Sequence, residues 1–282
     1  FGFALMTAEI ALGRKTRLSA IGAFSALNKK YRFIGVLAAL VPILILPYYS
    51  VIGGWVIKYF TVFISGQATQ AAEDTYFSEF IGQTGQPIFW FALFMVFTAI
   101  VVLFGVEKGI EKVSRFMMPL LVVLTIGISL YVLTIDGAWE GVKYYITPHM
   151  SDFSLKTLLA AMGQLFYSMS LAMGIMITYG SYMKRSTNLE HSVRQIEIFD
   201  TGIAFFAGLM IVPAVFAFSG GNTDALNAGP GLMFITLPKV FASMPFGSVL
   251  GTAFFILVFF AAVTSSISLM ETIVSIFMDK FK

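Results

Sequence analysis

The chain contains no cysteine and only two histidines, His149 and His191. Without cysteine there is neither a disulfide framework nor a thiolate metal or redox site. The histidines stand too far apart in sequence to suggest a metal centre. No His/Glu metal motif and no nucleophile–base pair appears, which argues against an intramembrane enzyme. Charge is scarce as well: Asp, Glu, Lys and Arg make up 12% of the 282 residues, about half the share of a soluble domain. The opening segment does not read as a secretory leader either. Phe1 opens an apolar stretch to Leu12 with no basic start and no cleavage site. That stretch is shorter than the roughly twenty residues a spanning helix needs, so the chain reads as an internal piece of a longer protein.

What is present is apolar. Hydrophobic residues account for 58% of the chain and phenylalanine occurs thirty times. The pI near 9.0 is explained by basic loops on a membrane protein, without a nucleic-acid partner. Hydropathy predicts an all-α polytopic membrane protein, a single transmembrane domain over 1–282. A partial helix at 1–12 is followed by spans at 33–64, 87–106, 116–135, 155–183, 196–218 and 249–278. The first complete span is long and holds Pro42 and Pro47, consistent with one tilted, kinked helix. Fourteen basic residues fall on one set of alternate loops: Arg14, Lys15, Arg17, Lys29, Lys30, Arg32, Lys108, Lys112, Arg115, Lys184, Arg185, Arg194, Lys280 and Lys282. The opposite set holds Lys143, Lys156 and Lys239. The positive-inside rule places the first set in the cytoplasm.

Three features within the spans are polar. Within the run Thr264-Ser265-Ser266, Ser268 and Glu271, helical spacing lines up Ala261, Thr264 or Ser265, Ser268 and Glu271 or Thr272 on one face. Such a stripe cannot face hydrocarbon and must meet other helices or a moving solute. The segment from Gly163 to Gly174 carries Gln164, Ser168 and Ser170 at mid-span. It reads either as a discontinuous helix offering backbone groups to ions, or as a small-residue packing face. Glu9, Asp200 and Glu271 are the acids expected at hydrocarbon depth. Asp200, with Glu197 nearby, also suits the N-terminal charge of a helix, and Glu9 also suits an interfacial pair near Gly13-Arg14.

Taken together these segments resemble the neurotransmitter:sodium symporter family, which has the LeuT fold. Ala4-Leu5-Met6 to Glu9 with Gly13-Arg14 resembles the end of the family's second helix. Lys108-Gly109-Ile110-Glu111-Lys112 with Met117-Met118-Pro119 resembles the start of its fifth. Gly163-Gln164 to Gly174 resembles the broken sixth helix. Gly229-Pro230-Gly231 to Phe234-Ile235-Thr236-Leu237-Pro238 resembles the outer loop before the eighth, and Thr264-Ser265-Ser266 the eighth itself.

The resemblance implies a partial LeuT-type inverted-repeat bundle, running from half of the second helix through the eighth. It implies a sodium-coupled symporter importing an amino acid or related small amine by alternating access, not an enzyme. It places Tyr49 at the substrate carboxylate, with Ile45 one turn earlier. Tyr167 stands at an outer aromatic lid, and Ser170, Met173, Ser266 and Leu269 lie around the substrate side chain. Two sodium sites are implied. One takes the Ala261 carbonyl and the hydroxyls of Thr264 and Ser265, and the other takes Ser168 and Asp200. Asp200 also supplies the fixed negative charge that chloride supplies in some members, so transport is expected to be chloride-independent.

The chain departs from the family pattern at Ala172, where glycine is usual. The first helix and those after the eighth are not in the sequence, so this piece alone is expected neither to bind tightly nor to transport. The short outer loop Ser65 to Gln86 has no cysteine pair and no Asn-x-Ser/Thr acceptor, which favours a prokaryotic plasma membrane. Ile45, Met173 and Leu269 favour an apolar substrate side chain. The alternative is a membrane receptor or regulator that keeps the fold without transporting, and retention of both sets of cation ligands argues against it.

Overall fold

Prolines at 42 and 47 do not end the first long helix. A computed structural model describes residues 2–148, 150, 153–222, 226 and 229–281, with the Glu107 side chain excepted. Phe1, His149 and Lys282 lie outside the described residues. In it α3 (Arg32–Ile64) is one continuous helix holding both prolines. At 1.5 Å per residue such a helix is about 50 Å long, well beyond the ~30 Å hydrocarbon thickness.

Every regular element among the described residues is helical. Before α3 come α1 (Gly2–Thr16), α2 (Ala20–Leu27) and a 3-10 turn (Lys29–Tyr31). After it come the short α4 (Ala68–Ala71) and α5 (Tyr76–Gly82), then α6 (Gly85–Leu103), a π-helical turn (Val106–Ile110) and α7 (Glu111–Val132). Next are α8 (Ala138–Ile146), α9 (Leu155–Ser168), α10 (Ile175–Tyr182) and α11 (Leu189–Ser219). A second π-helical turn (Leu232–Thr236), α12 (Leu237–Ser243) and α13 (Gly247–Phe281) complete the order. Five stretches are long and apolar enough to cross a bilayer: Lys29–Ile64, Gly85–Leu103, Lys108–Val132, Leu189–Ser219 and Gly247–Phe281. The region read from sequence as a span over 155–183 is not one helix but two, α9 and α10, separated by six residues.

The chain forms two units. Unit 1 comprises Phe1–Tyr48, His149–Gly202 and Ser265–Lys282. Its core joins Met6, Ile10, Met169, Leu171 and Val193, with a neighbouring cluster of Ala20, Ala23, Ala38 and Ile177. Small residues bring α1 and α10 together backbone to backbone: a Cβ on Gly13 would overlap the Ile177 carbonyl, and one on Gly180 the Ile10 carbonyl. Close approach of this kind replaces hydrophobic driving force between helices in a bilayer. Past the end of α1 the Arg17 guanidinium donates to the carbonyls of Ser181 (2.9 Å) and Met183 (2.7 Å), satisfying carbonyls at the end of α10. Arg14 donates to the Thr187 carbonyl at 2.7 Å.

Unit 2 comprises Tyr49–Pro148 and Ile203–Thr264. Gly53 and Gly54 let α3 press onto α6, where Cβ atoms would meet the Phe94 ring and the Phe91 backbone nitrogen. An aromatic cluster fills the end of this unit. Trp55 meets Phe77 and Phe234 edge-on at 5.3 and 5.7 Å between ring centroids. The Tyr59 hydroxyl, fully buried, donates to the Phe234 carbonyl in the second π-helical turn at 2.8 Å. Ser129 of α7 donates to the Phe206 carbonyl of α11 at 2.8 Å.

Candidate functional site

The six residues between α9 and α10 cannot be helical, because three of them take a left-handed backbone. Ser170 has φ 53°, Ala172 φ 59° and Gly174 φ 74°. Only glycine does so without cost, and for an L-residue the penalty is about 1–2 kcal/mol. The break is nevertheless tightly seated: Met169, Leu171 and Met173 are buried, and the Leu171 amide donates to the Phe166 carbonyl at 2.9 Å. The Ala172 amide, which has no helical acceptor, donates to Glu9 Oε1 on α1 at 2.8 Å. Glu9 is therefore not an interfacial pair with Arg14. Its Oε1 takes up an amide that the break leaves without a helical acceptor, and its Oε2 is buried without a hydrogen-bond partner among the described residues.

Ala172 tests this description directly. Replacing it with glycine removes the left-handed penalty and leaves the amide in place, so Ala172→Gly is expected to stabilise the protein by about 1 kcal/mol. The gain would be read as a higher thermal midpoint in detergent. A lower midpoint would mean that the methyl group packs in a way that outweighs the backbone strain.

Where α9 ends, Ser168 donates to Asp200 Oδ1 of α11 at 2.6 Å. Two residues assigned to one sodium site thus lie in hydrogen-bond contact. The carbonyls of the last turn of α9 carry its negative dipole end, and the start of α10 carries the positive one. The two half-helices thereby offer poles of opposite sign to small ions and polar solutes. Tyr167, beside Ser168, places its hydroxyl 3.1 Å from that of Tyr48. Tyr48 directly precedes Tyr49, the residue that the resemblance implies for the substrate carboxylate. Ile45 lies one turn before Tyr49 on α3, and both are half-buried.

The polar stripe on α13 divides into two parts. Its later part is paired with α10. Tyr179 and Ser268 share a hydrogen bond of 3.0 Å, Tyr182 donates to Glu271 Oε1 at 2.6 Å, and Thr178 and Ser275 meet at 3.3 Å. These rungs explain why buried polar groups are tolerated there. In the earlier part, Thr264 Oγ1 donates to the carbonyls of Phe260 (3.0 Å) and Ala261 (3.1 Å) of its own helix. Ser265 is exposed and Ala261 half-buried. Ser266 and Leu269 are buried, as is Met173, while Ser170 is half-buried.

The chemistry of these groups is uniform. Hydroxyl, carbonyl and carboxylate oxygens suit a hard cation, and no group of three or more His, Cys, Asp or Glu is gathered as for a transition metal among the described residues.

Residues 75–282 match the profile of the sodium:neurotransmitter symporter family. An uncharacterized sodium-dependent transporter of Bacillus subtilis, YhdH, is 37% identical over 97% of this chain and 61% of its own length. One from Haemophilus influenzae is 32% identical over 100% of this chain and 64% of its own. Among solved structures, MhsT in complex with L-phenylalanine superposes with a TM-score of 0.88 at 40% identity. That match covers 99% of this chain and 64% of that one. The chain thus spans about three-fifths of the length of the curated relatives it matches.

Proposed function

Because this chain belongs to the sodium:neurotransmitter symporter family and shares its LeuT-type fold, we propose that it performs sodium-coupled uptake of an amino acid with an apolar side chain, by alternating access. The observation that carries the reading is the α9–α10 break with the Ser168–Asp200 pair at its edge. The relatives' description as sodium-dependent transporters supports the coupling ion. The L-phenylalanine held by MhsT supports the substrate class. We place the protein in a prokaryotic plasma membrane with its basic loops cytoplasmic.

Sodium travels here as cargo. We assign the Ala261 carbonyl and the Thr264 and Ser265 hydroxyls to one ion, and Ser168 and Asp200 to the other. Tyr49 is assigned to the substrate carboxylate and Tyr167 to the lid. Ile45, Ser170, Met173, Ser266 and Leu269 are assigned to the substrate side chain. A fixed carboxylate is worth most in a low dielectric, where an uncompensated cation is costly. Asp200 accordingly supplies the charge that makes chloride unnecessary.

The test is accumulation of labelled L-phenylalanine and L-leucine by the complete gene product in proteoliposomes. An inward sodium gradient is expected to drive uptake above equilibrium, and a sodium ionophore to abolish it. Binding without gradient-driven accumulation would overturn transport in favour of a receptor. The Asp200→Asn variant is expected to lose about tenfold or more of its uptake in chloride-free medium and to recover it when chloride is added. Uptake by that variant that ignores chloride would remove Asp200 from the charge-balancing role.

A further inference from the structure

An open groove in unit 2 is lined by Lys108, Glu111, Lys112 and Arg115. Glu111 engages Arg115 at 2.5 Å on the same helix, so the groove carries three cations against one carboxylate. Its surroundings are apolar. Gly109 lies so close to the end of α6 that an added Cβ would stand 3.0 Å from the Phe104 Cβ. The exposed side chains of Leu103 and Phe104 therefore flank the basic turn. On α7, the helical face that begins at Lys112 continues through Phe116, Pro119, Val123 and Leu130. All four are exposed, Phe116 at 70% and Val123 at 65%.

A basic turn leading into an apolar stripe along a membrane-spanning helix matches the layout of one kind of molecule. We propose that this face is a binding site for an anionic phospholipid. The headgroup phosphate is held by Lys108, Lys112 and Arg115, and the acyl chains lie along Phe116, Val123 and Leu130. Basic clusters at the ends of spanning helices attract anionic headgroups, and a compact lysine or a forked arginine each meets phosphate well. A free phosphate ion has no use for the apolar stripe, which is why the lipid is the occupant assigned. Glu111 tempers the site by occupying Arg115. The assignment is independent of transport, because lipid retention is measured without uptake.

The experiment is native mass spectrometry of the complete gene product released from bilayers of equal phosphatidylglycerol and phosphatidylcholine. Phosphatidylglycerol is expected to be retained in preference. Lys108→Gln and Lys112→Gln should each lower that preference by roughly fivefold. Glu111→Gln frees Arg115 and should raise the preference, a gain that misfolding cannot imitate. Phosphatidylglycerol with short acyl chains should be retained more weakly than the long-chain form. Preference unchanged in all three variants would overturn the site. Equal retention of short and long chains, or full displacement by millimolar inorganic phosphate, would show an ion site and overturn the lipid. A dimer that excludes lipid from this face would assign it to a second copy instead.

Discussion

Gly13→Leu is expected to yield no monodisperse folded protein, and Gly13→Ala to lose about 1–3 kcal/mol of stability. Even the first added carbon falls on the Ile177 carbonyl oxygen, a backbone atom that cannot rotate aside. The reciprocal contact of Gly180 with Ile10 closes the same interface from the other helix. Separating α1 from α10 would also draw the Glu9 carboxylate from the Ala172 amide and the Arg17 guanidinium from the end of α10. A control lies in α7: Gly127 is helical and has nothing within 4 Å of an added Cβ. Gly127→Ala should therefore be neutral or stabilising by up to about 1 kcal/mol. Thermal unfolding and gel filtration in detergent read both. Equal stability of Gly13→Ala and the parent protein would refute the backbone contact between α1 and α10.

The second large effect concerns sodium. Thr264→Ala combined with Ser265→Ala removes two of the three oxygens assigned to one ion. The sodium concentration needed for half-maximal uptake is expected to rise by about tenfold or more. Substrate affinity at saturating sodium should change little. Thr264→Ser keeps the oxygen that donates to the carbonyls of Phe260 and Ala261, so it should keep most of the sodium affinity. The measurement is the sodium dependence of uptake in proteoliposomes. An unchanged dependence in the double variant would move the ion elsewhere.

How much of this was legible beforehand varied with the range of the interaction. Long helices such as α6 and α13 announce themselves, because a bilayer demands an apolar run of fixed length. The polar stripe on α13 was visible for the same reason, as an exception to that demand. Its partners were not. Ser268 and Glu271 meet Tyr179 and Tyr182 across 89 residues of sequence, and no local pattern specifies such a pairing. The broken helix was half legible. Gly163 and Gly174 bracket the segment that reads as discontinuous, yet Gly163 lies inside α9 and the break runs from 169 to 174. Glycine permits a break but does not place one. Here the place is associated with an acid on another helix, Glu9, which accepts from the Ala172 amide although Ala172 is not glycine. The short helices α2, α4, α5, α8 and α12 fall below the length of a span, the feature by which a membrane helix shows itself in sequence.

Neither unit is a continuous stretch of chain. Unit 1 takes its parts from three stretches and unit 2 from two, and three of the four boundaries fall within helices, α3, α11 and α13. During synthesis the chain emerges from the ribosome in order, and domains that are contiguous can complete themselves as they appear. Here that is impossible. The first 48 residues must wait in the bilayer while about a hundred others are inserted before α9 and α10 reach them. Glu9 spends that interval without the Ala172 amide, and Tyr182 later waits for Glu271. Nascent chains arrested before residue 265 should therefore be protease-sensitive at the α9–α10 break, and longer chains in which residues 265–281 have been inserted should be protected there.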